Sequence, residues 1–153
     1  MTVREAVWKP HVTVAAVVER ESRFLMVEET AEGRRVLNQP AGHLEPGESL
    51  LEAMVRETRE ETGWDVEGIA LIGIYRWPHP NCSKTFLRVT FAARALAHDP
   101  YRPLDKGIHC TRWLTCDELA AAAKRLRSPL VLESTTDYLA GRRYPLELLR
   151  DLK

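Results

Sequence analysis

"GHLEPGESLLEAMVRETREETGW", residues 42–64, is the stretch from which the rest of this chain is read. Six carboxylates lie between Glu45 and Glu61 against only Arg56 and Arg59, so the segment is acidic in a chain whose 22 basic and 22 acidic residues balance. Gly42, Pro46 and Gly47 mark its first third as a loop. Ser49 followed by Glu52 is a capping-box signature and Gly63 stands where a helix ends, so a helix is predicted over 49–62. At about 100° per residue, Glu57, Glu60 and Glu61 share one face of it. Leu51, Val55, Thr58 and Thr62, with Met54 at the edge, form an apolar stripe on the adjoining face, expected to cover a sheet. Arg59 and Glu52 fall on the solvent side.

Carboxylates three and four residues apart repel by a few tenths of a kcal/mol per pair, and the helix dipole disfavours anions near a C-terminus. A divalent cation reverses that sign. Mg²⁺ is hard, demands oxygen ligands in octahedral geometry, and commonly joins a few carboxylates to waters and substrate phosphates. The competing account is a solvated acidic helix face.

Length and composition narrow the setting. A chain of 153 residues forms one domain, here residues 1–153, that buries roughly two-thirds of the surface its unfolded form exposes. Hydrophobic residues at 44% contain no run approaching the ~20 apolar positions of a membrane span, and "MTVREAVWKP" lacks a signal-peptide core. Zero net charge supplies no field for nucleic acid or an anionic membrane. Cys82, Cys110 and Cys116, an odd number without C-x-x-C spacing, speak against a disulfide framework or a cysteine zinc site and for a cytoplasmic location. His109 and Cys110, as neighbours in a predicted strand, point to opposite faces.

Strands are predicted at "HVTVAAVVER" (11–20), "SRFLMVEE" (22–29), "GIALIGIYRW" (68–77), "TFLRVTFAARAL" (85–96) and "HCTRWL" (109–114), with "PHPNCSK" (78–84) as a hairpin loop. After a strand-like start, residues 35–49 break into a loop. Thr115 with Glu118 caps a second helix, "DELAAAAKRL" (117–126), and Ser128-Pro129 opens a third running to about Ala140. Strands around a helix, then helices, imply a layered α/β domain with a mixed sheet.

The opening stretch fits G-x5-E-x7-R-E-U-x-E-E-x-G-U, with U a bulky aliphatic residue, and so resembles the signature of the Nudix hydrolases. Gly42, Glu48, Arg56, Glu57, Glu60, Glu61 and Gly63 match; Thr58 and Trp64 depart at the two U positions, which are packing sites. The resemblance implies an α/β/α sandwich around a mixed β-sheet and Mg²⁺-dependent hydrolysis of a phosphoanhydride bond by water, with Mn²⁺ as a substitute cation. It implies that Glu57, Glu60 and Glu61 bind the metal with the Ala41 carbonyl. Glu48 is then expected to pair with Arg56 across the loop–helix junction, orienting the carboxylates, with Arg56 as a direct phosphate ligand the lesser alternative. Glu61 is the first candidate general base and Glu60 the second, an acid outside the signature such as Glu133 being left open.

Beyond the signature, "KPHVTVAAVVE", "FLMVEET", "NQPAGHLE", "RSPLV" and "GRRYPLE" resemble a bacterial phosphatase branch of that family. That branch implies a monomer releasing phosphate from nucleoside tri- and diphosphates and from small organic pyrophosphates such as hydroxymethylpyrimidine pyrophosphate. The rivals are cleavage of nucleoside triphosphates or nucleotide sugars to a nucleoside monophosphate, and a Nudix domain that binds nucleotide or RNA without hydrolysis. Intact glutamates and the lack of a basic stripe disfavour the last. Candidate substrate contacts are His43, beside the expected phosphates, with local packing in the loop as the plainer account; Trp77, an aromatic in "WPHPN" that reads equally as a core or strand-end residue; and Lys84 with Arg88, sharing a strand face whose plainer account is solvent exposure. For Asn38 and Gln39, backbone support and pocket lining stay equally open, while Arg142 and Arg143 read as exposed surface.

Overall fold

In a computed structural model, which describes residues 5–152, seven strands and three helices form a mixed sheet sandwiched between helices. Strand β1 (His11–Arg20) lies at its centre because Val14 to Val18 are apolar without interruption, as a strand covered on both faces requires. Its alternate side chains serve two cores. Val14, Ala16 and Val18 pack with Ala53 and Met54 of helix α1 (Leu50–Thr62), whereas Val17 packs with Leu119, Leu126 and Val131 on the opposite face. Each fully buried Val or Leu in these layers contributes about 1.5–3 kcal/mol.

Strands β2 (Arg23–Ala31) and β3 (Arg34–Asn38) follow, then β4 (Ala41–His43), β5 (Trp64–Pro78), β6 (Thr85–His98) and β7 (Ile108–Leu114). The order is β3-β2-β1-β6-β5, with β4 paired to β1 and β7 to β2. Pairing of β1 with β6 is parallel and the other pairings are antiparallel. A parallel pair needs a crossover connection, and the segment carrying α1 belongs to it. β4 lies within the expected loop, since Gly42 and Pro40 hide a strand of only three residues that exists by pairing with Thr13–Ala15.

Helix α1 begins and ends as its sequence predicts. Ser49 Oγ accepts from Glu52 N, Glu52 accepts in return from Ser49 N, and Gly63 closes the helix at φ 74°. Its buried face is rotated from the predicted stripe: Ala53, Met54, Thr58, Glu61 and Thr62 are buried, while Leu51 and Val55 are half-buried. Glu61 thus stands inside the face that covers the sheet, because Ala41 at the sheet edge offers it an N–H. Thr58, at one departing signature position, is fully buried and satisfies its hydroxyl on Met54 O at 2.8 Å. Trp64, at the other, stacks on His98 at 4.6 Å and packs against the α1 core.

The second predicted helix stops early. Helix α2 is Cys116–Ala121, and Ala123–Arg125 is a 3₁₀ turn. Tertiary contacts override the alanine-rich propensity here: Leu126 enters the core, Arg127 N donates to Leu37 O at 2.8 Å, and Arg125 reaches Glu28. Helix α3 spans Leu130–Leu139, with Ser128 Oγ accepting from Leu130 N. Strands β5 and β6 are longer than predicted and the intervening loop is shorter; Trp77 lies in β5, as the predicted strand 68–77 has it, and Lys84 lies just before β6, outside the strand assigned to it.

Glu28 of β2 is 3% exposed and ringed by Arg35 at 3.1 Å, Arg112 at 3.0 Å, Arg125 at 2.6 Å and the Cys110 thiol at 3.2 Å. His109 meets Thr30 at 2.6 Å; the register shift between Glu28 and Glu29 falls opposite it, so the simple alternation expected for His109 and Cys110 is interrupted here. Burial pushes the Glu28 carboxyl up, but the Cys110 and Arg112 hydrogen bonds and the arginine charges outweigh it and hold the group at about 2. A depressed carboxyl stabilises the fold above its unfolded value of 4.5 and loses that contribution as pH falls through about 2. Glu28→Gln is therefore expected to destabilise the protein by about 2 kcal/mol at neutral pH and to flatten its stability loss between pH 4.5 and 2. Urea midpoints measured across that range check this; parallel curves for the two proteins would refute it.

Candidate active site

Arg56, on α1, is the hub of the acidic stretch. Its Nε and Nη2 donate to the two oxygens of Glu48 at 2.8 and 2.7 Å, a bidentate pair that clamps the 44–49 loop to the helix. Nη2 also donates to His43 O at 3.0 Å, and Nη1 donates to Glu57 at 2.8 Å and Glu60 at 3.1 Å. All its nitrogens are engaged in holding other groups, so the orienting role expected of Arg56 is the one the geometry supports. The Arg56 hydrogen bonds hold the Glu48 carboxyl below its usual range, and Glu48 correspondingly raises the guanidinium. Glu45 supports the same clamp, its N–H donating to Glu48 at 2.8 Å and its carboxylate lying 3.8 Å from Arg56.

Among the described residues, Glu57, Glu60 and Asp105 place carboxylate oxygens within 4.8 Å of one another. Asp105, on the loop between β6 and β7, is held there by its N–H donating to Glu60 O at 3.0 Å. No sequence feature marks it beyond an acid in the turn-like "PLDKG", since its partners lie far upstream in the chain. The acid from outside the signature that the structure brings to these glutamates is Asp105; Glu133, on α3, lines an adjoining cavity of about 530 Å³. Glu61 stands behind the trio, 6% exposed, with Oε1 accepting from Ala41 N at 2.7 Å. Burial pushes its carboxyl up to about 9, and burial also raises Glu57, opposed by Arg56.

These residues fit a hard divalent cation: the donors are all carboxylate oxygens, from two segments, and the single charge of Arg56 does not offset those of Glu57, Glu60 and Asp105 together. Gly42 completes the fit. A Cβ there would fall 2.1–2.3 Å from the Glu57 carboxylate, so the carboxylate keeps its place over β4 only because residue 42 is glycine.

Next to this cluster, with Ala41–His43 as the shared wall, opens a cavity of about 270 Å³. His43, Trp77, Lys84 and Arg88 all line it, so the four candidate substrate contacts converge. Their settings differ from expectation. Trp77 stacks on Phe86 at a centroid distance of 5.9 Å, and the exposed His43 faces His11 and Phe86, making an aromatic rim. Burial, His11 and Lys84 lower the His43 pKa. Arg88 is not solvated: it is 5% exposed, and desolvation pulls its guanidinium down to about 10 against the attraction of Glu61 and Glu29. Of the residues before the signature, Asn38 lines the cavity, whereas Gln39 is fully buried and ties β3–β4 to α3 through Val131 O and Ser134 Oγ. Arg142 pairs with Asp137 and Arg143 lies over the Tyr138 ring, both at the surface.

Comparison with known proteins agrees with this arrangement. A NUDIX domain family model matches residues 9–133. The phosphatase NudJ of Escherichia coli K12 is 47% identical over 144 residues, 94% of this chain and 93% of that protein, and the NudJ of Shigella flexneri is equally similar. A NUDIX hydrolase structure from Nitrosomonas europaea superposes with a TM-score of 0.93 at 47% identity, covering 94% of this chain and 98% of that one. An ADP-ribose pyrophosphatase from Streptococcus suis, at 20% identity and a TM-score of 0.69, shares the fold. No described helix is long and apolar enough to cross a membrane. With likeness running through nearly the whole chain and its signature glutamates gathered beside a cavity, the protein belongs to the Nudix hydrolase family and is an enzyme of phosphoanhydride bonds.

Proposed function

We propose that this enzyme uses Mg²⁺, with Mn²⁺ as a substitute, to release orthophosphate from nucleoside tri- and diphosphates and from small organic pyrophosphates such as hydroxymethylpyrimidine pyrophosphate. The observation that carries the reading is the Glu57–Glu60–Asp105 cluster beside a cavity that His43, Trp77, Lys84 and Arg88 line, with Gly42 of the cavity wall passing beneath Glu57. The 47% identity to proteins named phosphatase NudJ supports the choice of bond, and the cytoplasm and a monomer are the expected setting.

Glu57, Glu60 and Asp105 hold the cation, with Glu61 and the Ala41 carbonyl as further oxygens. When bound, such a cation neutralises charge developing on the bridging oxygens and lowers the pKa of a coordinated water. The chain's own groups do the rest. Glu61, whose carboxyl burial pushes up to about 9 in the absence of a cation, would be ionised by the charge of one bound beside it and then takes the proton from the attacking water, with Glu60 next in line; the Ala41 N–H fixes which way its carboxylate faces. Arg56 keeps Glu57 and Glu60 aimed while Glu48 keeps Arg56 in place. His43 and Lys84 contact phosphate oxygens, and the Trp77–Phe86 rim stacks on the planar ring of the substrate.

Product analysis tests the reading: incubation with GTP and Mg²⁺ is expected to give GDP and then GMP with orthophosphate, and none without the metal. Pyrophosphate and GMP as the sole products would replace it with the pyrophosphohydrolase alternative.

A further inference from the structure

Arg88 has an unusual balance of charge and partners. It projects from β6 and lines the cavity, 5% exposed, and its Nη2 donates to Asn38 Oδ1 at 3.3 Å. Its Nε is fully enclosed with no hydrogen-bond partner among the described residues. A buried donor left unmade costs about 1–3 kcal/mol, more on a charged group; Glu61 and Glu29 attract the guanidinium without hydrogen-bonding it, and the side chain lines the cavity with donor capacity to spare. The nearest polar groups are already committed. Asn38 Nδ2 donates to Glu29 at 3.3 Å, and Glu29 faces Arg127 at 3.5 Å. Ser128 and Leu130, at the N-terminal end of α3, line the same cavity and turn the positive end of the helix dipole toward it.

Arg88 lies two residues from Phe86 along β6, and both line, with Trp77, a cavity of only about 270 Å³. A terminal phosphate has one more ionisable oxygen than an internal one, and a guanidinium fork is matched to it.

Resting on the phosphatase reading above, we propose that Arg88, with the N-terminal end of α3, is a specificity subsite for the unesterified terminal phosphate of the substrate. Arg88 thereby selects substrates whose last phosphate is free and rejects those in which it is esterified, such as dinucleoside polyphosphates and nucleotide sugars.

The test compares GTP with its γ-phosphate methyl ester in the wild-type enzyme and in Arg88→Gln, with Arg88→Lys as a milder variant and circular dichroism to confirm folding. Wild type is expected to favour GTP over the ester by about 10- to 150-fold in kcat/KM, the range of a hydrogen bond to a charged group. Arg88→Gln is expected to lose that preference, and inhibition by inorganic orthophosphate is expected to weaken by the same factor. Should Arg88→Gln not fold, the wild-type preference and its relaxation in Arg88→Lys carry the comparison. Equal use of GTP and its ester by wild type, or full discrimination by a folded Arg88 variant, overturns the proposal while leaving orthophosphate release intact. Pyrophosphate as the sole product from GTP overturns the phosphatase reading and the subsite with it.

Discussion

Gly42→Ala is expected to cut turnover by about 100-fold or more while the protein stays folded. The added Cβ would sit 2.1 Å from Glu57 Cδ and 2.2 and 2.3 Å from its two oxygens, far inside contact distance. What it strikes is the end of a flexible side chain, so β4 can keep its pairing of Gly42 with Val14 while the carboxylate swings away. Gly42 does not occupy the left-handed region, so alanine introduces no backbone strain there. The damage should therefore be confined to the proposed cation site. Steady-state kinetics over a range of Mn²⁺ concentrations check this: a raised metal requirement with an unchanged melting temperature is the expected outcome, and wild-type kinetics would refute it.

Glu61→Gln is expected to lower turnover by about 10²- to 10⁴-fold, the usual contribution of a general base. The amide oxygen of glutamine can still accept from Ala41 N–H, so the helix keeps its contact with β4. Because Glu61 is 6% exposed and burial works against its charge, the substitution should leave metal-free stability unchanged or slightly raised. Loss of activity without loss of stability separates a chemical role from a structural one. Near-full activity would remove Glu61 from the role and leave Glu60 or Asp105 as the base.

Much of the site is legible in the sequence because its residues are close along the chain. Glu48, Arg56, Glu57, Glu60 and Glu61 lie on one loop and the helix that follows it, and fixed helical geometry places them without knowledge of the fold. The Ser49–Glu52 box and Gly63 are equally local. The features the sequence conceals each depend on a distant partner. Asp105 joins the glutamates only through its backbone bond to Glu60, and β4 exists only against β1. The rotation of α1 that buries Glu61 follows from the position of Ala41, which no helical wheel contains. Arg88 reads as a solvated strand residue because alternation fixes which residues share a face, not whether a third layer covers it. In the second helix, four alanines argue for continuity, and the Arg125–Glu28 and Arg127–Leu37 contacts prevail.

The central claim is that Glu57 and Glu60, with Asp105, hold the cation on which hydrolysis depends. Its most direct test is Mn²⁺ binding, read by the loss of free-ion electron paramagnetic resonance signal, in wild type and in the Glu57→Gln/Glu60→Gln double variant, alongside orthophosphate release from GTP. The predicted result is an affinity at least about 100-fold weaker in the double variant, with orthophosphate release lost in step. Unchanged Mn²⁺ affinity in a folded double variant, or full activity of the wild-type enzyme in excess chelator, would contradict it.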